Sequence, residues 1–185
     1  MKIHRKPVLR LTILGIFLCL LYSCLELAGP AWHLVYGDSV RFRGWKIPVP
    51  RMFCVIHSSR VPELWKLPIG IPRWHGPYAI ISFIVLTAEP SDSLSPERYE
   101  RWAKDAAEVA ATRQKYWVTA ERKVLVDGTF IYCFESVSAE DRTTRAITCP
   151  IKGSPLVAEY FGSLKYFPDF YSMLKGMSRA GPDPK

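Results

Sequence analysis

Asparagine is absent from these 185 residues, and glutamine occurs once, at Gln114. Without Asn there is no acceptor for N-glycosylation, and a GC-rich bacterial coding sequence is one source of such a bias. The glycines form no phosphate-cradling loop, and there is no Gly-x-Ser-x-Gly elbow. Histidine is sparse: His4, His33, His57 and His75. None has a second His at ligand spacing, and Cys54 and His57, three apart on an expected strand, point to opposite faces. No metal site, cofactor motif or catalytic constellation follows from these residues. The carboxylates of Glu97, Glu100, Asp105 and Glu108 fall on the solvent side of an expected helix. No repeat or low-complexity tract interrupts the chain.

Charge is also missing from one long stretch. Between Arg10 and Glu26 lie fifteen uncharged, mainly apolar residues, preceded by Lys2, Arg5, Lys6 and Arg10. That asymmetry holds the N-terminus in the cytoplasm and sends the rest across a membrane. The expected organisation is a basic n-region over 1–10, a transmembrane anchor or signal segment over 11–28, a juxtamembrane linker over 29–37, one extracytoplasmic domain over 38–178 and a flexible tail over 179–185. Gly29-Pro30 is expected to end the membrane helix, with Trp32 and Tyr36 at the interface. Three fates stay open. The segment is retained as a single-pass anchor, lipidated at Cys24 within the lipobox-like "LYSC", or cleaved near Gly29-Pro30-Ala31, which would release a secreted product. In each case the domain lies in an extracytoplasmic, periplasmic compartment.

The net charge of +8 is concentrated. Residues 74–185 hold fourteen charges of each sign, whereas residues 38–73 carry a net +5. Arg41, Arg43, Lys46 and Arg51 therefore read as a basic face next to the membrane, interleaved with Trp and Tyr as a surface near anionic headgroups would be. Membrane lipid is the expected partner, with an unidentified protein beside it. Nucleic acid is not, since that compartment lacks it and no recognition helix is evident.

What is plentiful is core material, with 49% hydrophobic residues, six Trp, nine Tyr and nine Phe. "VRFRGWKIPVP" (40–50) alternates on both sides of Arg43-Gly44 and predicts a hairpin. A strand is expected over 52–58, an ordered loop over 59–77 and a central strand over 78–88. Ser95 as N-cap and Pro96 at the first helical position start a long helix over about 96–115, with Tyr99, Trp102, Ala103, Ala106 and Ala110 inward. Asp127-Gly128 joins two strands, strands follow over 143–151 and 156–163, and "YFPDFYSMLKGM" (166–177) forms a short closing helix. A hairpin centred at Asp141 puts Cys133 opposite Cys149, so a disulfide there is permitted in an oxidising compartment, the alternative being two small buried thiols.

The fold class is therefore α+β: an N-terminal membrane helix followed by one domain with an antiparallel sheet, a long helix and a short C-terminal helix. Over roughly residues 38 to 177 this order, with its early hairpin and closing aromatic helix, resembles the PsbP-like α/β/α sandwich. That resemblance implies a non-catalytic binding or assembly role. The loop "RWHGP" (73–77) offers Arg73 and Trp74, with Trp65 before it, as a ligand or partner loop. The expected function is that of a membrane-tethered extracytoplasmic binding or scaffold protein, an accessory subunit of an envelope complex. The alternatives are a small hydrolase with dispersed catalytic residues and a carrier of lipid or another small molecule.

Overall fold

A computed structural model of the chain describes residues 15, 27–58, 61–66, 79–85, 95–113, 115–140 and 144–180. The domain is α+β with antiparallel sheets, and three helices are described. Helix α1 covers residues 27–36. Strands β1 (Ser39–Phe42) and β2 (Trp45–Pro48) follow, then β3 (Cys54–Ser58), β4 (Val61–Lys66) and β5 (Ala79–Val85). After α2 (Pro96–Arg113) come β6 (Tyr116–Val126), β7 (Thr129–Ser138), β8 (Arg145–Pro150) and β9 (Leu156–Gly162). Helix α3 (Phe167–Gly176) and β10 (Ser178–Arg179) close the described chain.

Seven strands form the main sheet in the order β3-β4-β5-β9-β8-β7-β6. The chain leaves the interior strand β5, crosses through α2 to the far edge, and returns as a meander to pair β9 with β5. Two tight turns set the hairpins. Arg43 and Gly44 have φ of 49° and 78°, and Asp127 and Gly128 have 47° and 75°. Positive φ at both central residues is the type I′ signature, whose twist matches that of the strands it joins. The start of α2 is fixed by Ser95, whose hydroxyl accepts the Arg98 amide at 3.4 Å.

Both faces of the main sheet are covered. On one, α2 lays Tyr99, Ala103 and Ala107 onto Tyr132 and Phe134. The small residues let the helix approach closely, and Tyr99 donates to the Pro150 carbonyl at 2.5 Å. Trp102, Ala106 and Ala110 are only half-buried: the inward stripe follows the i, i+4 row from Tyr99 and leaves them on its flank. On the other face, Ile81, Phe83, Ile131, Ile147, Ala158 and Tyr160 meet α3 and the inner side of the small sheet β1-β2-β10. The disulfide Cys133–Cys149 lies within this core, its Cα atoms 4.3 Å apart. That is the spacing of directly opposed, non-hydrogen-bonded residues in an antiparallel pair. Cys54 is buried outside it.

Three segments depart from the sequence expectation. The stretch expected as a loop over 59–77 contributes β4. Pro62 is tolerated because the ladder to β5 begins only at Glu63. Arg179, expected in a frayed tail, lies in β10 opposite Trp45, with its guanidinium 4.4 Å over the Trp45 ring and donating to the Gly153 carbonyl at 2.6 Å. The residues read as a linker are helical, because α1 does not stop at Gly29-Pro30 but continues to residue 36. It ends where Gly37, at φ 83°, donates its amide to the His33 carbonyl at 3.0 Å.

Gly29 explains this continuation. A Cβ there would lie 2.6 Å from the Met52 carbonyl carbon and 2.7 Å from its oxygen, so only glycine lets α1 rest on that backbone. Replacing glycine by alanine inside an undocked helix stabilises it by about 0.5–1 kcal/mol. Against a packed backbone the sign reverses, with overpacking of about 1–3 kcal/mol. Gly29→Ala is therefore expected to lower the melting temperature of the full chain, and a raised one would show that α1 stands away from the domain.

Candidate functional site

The two largest groups of sequence candidates fare differently. Arg41, Arg43, Lys46 and Arg51 are all exposed and lie on the β1–β2 hairpin and the turn after it. Register places Arg41 directly opposite Lys46, a like-charge juxtaposition that disfavours pairing. The inner side of the same hairpin supplies Trp45 and Ile47 to the core, so alternation along two short strands presents the cations on one side. Trp65 belongs to β4, paired with Cys54 and Ile80. Its side chain, and all of Arg73 and Trp74, lie outside the described residues, as does Cys24. The expected membrane segment 11–28 is described only at Gly15, Leu27 and Ala28. Among the described residues no helix is long and apolar enough to cross a membrane.

Beside the basic hairpin stands a feature the sequence reading assigned only to an interface linker. The end of α1 exposes Leu34, Val35 and Tyr36 at 89%, 72% and 69% of their surface, and Met52 is exposed in the adjoining turn. Helix α1 nevertheless sits firmly. Trp32 packs against the main core, and the His33 ring contacts Asp38 Oδ1 through Nδ1 at 2.9 Å and the Pro50 carbonyl through Nε2 at 3.2 Å. Leu34 lines a cleft together with the exposed cation Arg51, so apolar and cationic side chains meet at this end of α1.

A second feature was not foreseen. Glu159 on β9 is only 4% exposed and faces the α2 side of the sheet, since Leu156, Ala158 and Tyr160 occupy the other. Ser82 and Thr148 flank it by register, and Glu63 is the next residue along the same rung. Burial raises its carboxyl from 4.5 to about 7. The rung joins strands distant in the chain, and only a lone Glu within the apolar run "LVAEYFG" signals it.

A smaller cleft of about 400 Å³ lies beside Arg122, Phe167, Tyr171 and Lys175. Its chemistry is internally satisfied: Tyr171 donates to Glu135 Oε1 at 2.8 Å, and the Arg122 guanidinium reaches that same oxygen at 3.5 Å. Burial and the Glu135 carboxylate push the Tyr171 phenol up, so it stays protonated. Among the described residues no group of three potential metal ligands converges. A scan against protein-family models and a search of curated proteins each find no match for this chain.

Glu159 makes stability pH-dependent. Between pH 4.5 and about 7 its carboxyl is protonated in the fold and ionised in the unfolded chain. The unfolded state thus binds fewer protons there, and stability falls as pH rises through that window. The fall is on the order of 3 kcal/mol for this one group. Glu159→Gln is expected to flatten that part of the stability profile and to stabilise the fold above pH 7, measured by urea unfolding. A variant profile parallel to the wild-type curve would refute the assignment.

Proposed function

We propose that this is a membrane-tethered, extracytoplasmic binding protein, an accessory or scaffold subunit of an envelope complex, whose α1 and small sheet lie against the bilayer surface. The observation that carries this reading is that exposed Leu34 shares one cleft with the exposed cation Arg51, with exposed Val35 and Tyr36 beside it in α1 and the basic β1–β2 hairpin following in the chain. Helix α1 follows the apolar, uncharged stretch in the sequence, so it is the first described part of the chain that would lie near headgroups if that stretch spans a membrane. Tyr36 suits such a position, with its ring among acyl chains and its hydroxyl among headgroups. The hairpin cations add attraction to anionic lipid of about 1 kcal/mol each. The small sheet and α2 cover opposite faces of the main sheet, and in this reading the outer side of α2 is the surface open to a protein partner.

The test is charge reversal in a shortened chain that begins at Leu27. The triple variant R41E/R43E/K46E is expected to bind anionic liposomes at least about tenfold more weakly than its parent, with the gap closing as salt rises. Cosedimentation unchanged by the reversal, or absent from the parent, would remove the headgroup-facing role.

A further inference from the structure

Between α1 and the end of β2 lies a cleft of about 540 Å³, within the ~300–1,000 Å³ range of small-molecule sites. Its apolar lining comes from Pro30, Leu34, Pro48 and Val49. Its charged lining is a pair of opposite sign, Asp38 and Arg51, both exposed. The backbone brings the two residues near each other: the Asp38 carbonyl accepts the Val49 amide at 2.9 Å, which places Asp38 beside Val49, with Arg51 two residues further on. The Asp38 carboxylate is oriented as well. Its Oδ1 contacts His33 Nδ1 at 2.9 Å, while the other side of that ring is held by the Pro50 carbonyl. The cleft shares Leu34 with the exposed apolar end of α1.

We propose that this cleft seats one zwitterionic aminophospholipid of the membrane surface. Its phosphate meets the Arg51 guanidinium, its primary ammonium meets the Asp38 carboxylate, and its glycerol and first methylenes lie along Leu34 and Pro30. The inference rests on the reading that this face meets the bilayer, and it adds a discrimination that the hairpin cations cannot supply. A field of cations attracts any anionic lipid, whereas a cation and a carboxylate lining one cleft match a headgroup carrying both signs. A primary ammonium offers N–H donors to a carboxylate. A trimethylammonium offers none, and a glycerol headgroup lacks the cation.

The full chain in detergent micelles is titrated with dioleoyl phosphatidylethanolamine, phosphatidylcholine or phosphatidylglycerol, and retained lipid is counted by native mass spectrometry. The wild type is expected to retain the ethanolamine lipid about tenfold better than the other two, the equivalent of one charge-assisted contact. Asp38→Asn keeps an oxygen for His33 and should remove that preference, whereas Arg51→Ala should lower retention of all three. Equal retention by the wild type, or an undiminished preference in Asp38→Asn, would overturn the proposal. Displacement of the lipid by free phosphoethanolamine at equal concentration would overturn it too, because the apolar lining would then contribute nothing. The triple variant R41E/R43E/K46E leaves the cleft intact and should retain the preference. Its liposome binding reports on the surface reading alone, so the two ideas fail separately.

Discussion

The docking of α1 on the domain depends on one close contact, the backbone of Gly29 against the backbone of residues 51–52. It lets α1 settle onto the turn after β2, brings Trp32 to the core and carries His33 to Asp38 and Pro50. A side chain at position 29 would force the helix outward, and these contacts would part together. With the contact made, the direction in which α1 approaches the domain is tied to the turn that follows the basic hairpin. A flexible linker would leave them independent. Under the proposed function, such docking would let a few cations and three exposed apolar side chains set an orientation as well as an affinity.

The remainder of the fold supports that arrangement from behind. An antiparallel sheet with two apolar faces needs cover on both. Helix α2 supplies one side through Tyr99 and three alanines, while α3 and the small sheet supply the other. The small sheet has two unlike sides: its inner side closes the core through Trp45 and Ile47, and its outer side carries Arg41 and Lys46. β10 fastens it, through the Arg179 guanidinium stacked on Trp45. Within the main sheet, Glu159 is a polar residue in an otherwise well-packed layer. Burial of this kind works against stability near neutral pH, which sets it apart from Ala158 and Tyr160 beside it in the chain.

The legible parts of the sequence were those governed by local chemistry. Asp127-Gly128 is a residue pair suited to the positive φ of its turn, Gly44 supplies the same freedom after Arg43, and Ser95-Pro96 marks a helix start with a capping acceptor and a preset φ. The register that opposes Cys133 to Cys149 follows from a short loop between adjacent strands, and the structure joins the two. The illegible parts depend on distant partners. Pro62 argues against a strand in isolation, and only the late start of the β4–β5 ladder makes room for it. Gly29-Pro30 reads as a helix stop, yet Gly29 serves a tertiary contact instead. β10 is too short to register as a pattern, and the rung through Glu63, Ser82 and Glu159 exists only once β9 returns to β5. Of the candidate site, the basic hairpin was visible as composition. The docked helix that gives it a direction was not, because docking is decided by a backbone contact that leaves no periodic trace.

The central claim is that the end of α1, and not the α2 face, meets the bilayer. It is tested most directly by depth-dependent quenching in the full chain reconstituted into vesicles whose lipids carry bromine on their acyl chains. A genetically encoded fluorescent amino acid would replace Val35 in one preparation and Val109, exposed on the outer side of α2, in another. The account predicts strong quenching at position 35 and none at position 109. Equal quenching at the two positions, or quenching at position 109 alone, would contradict it.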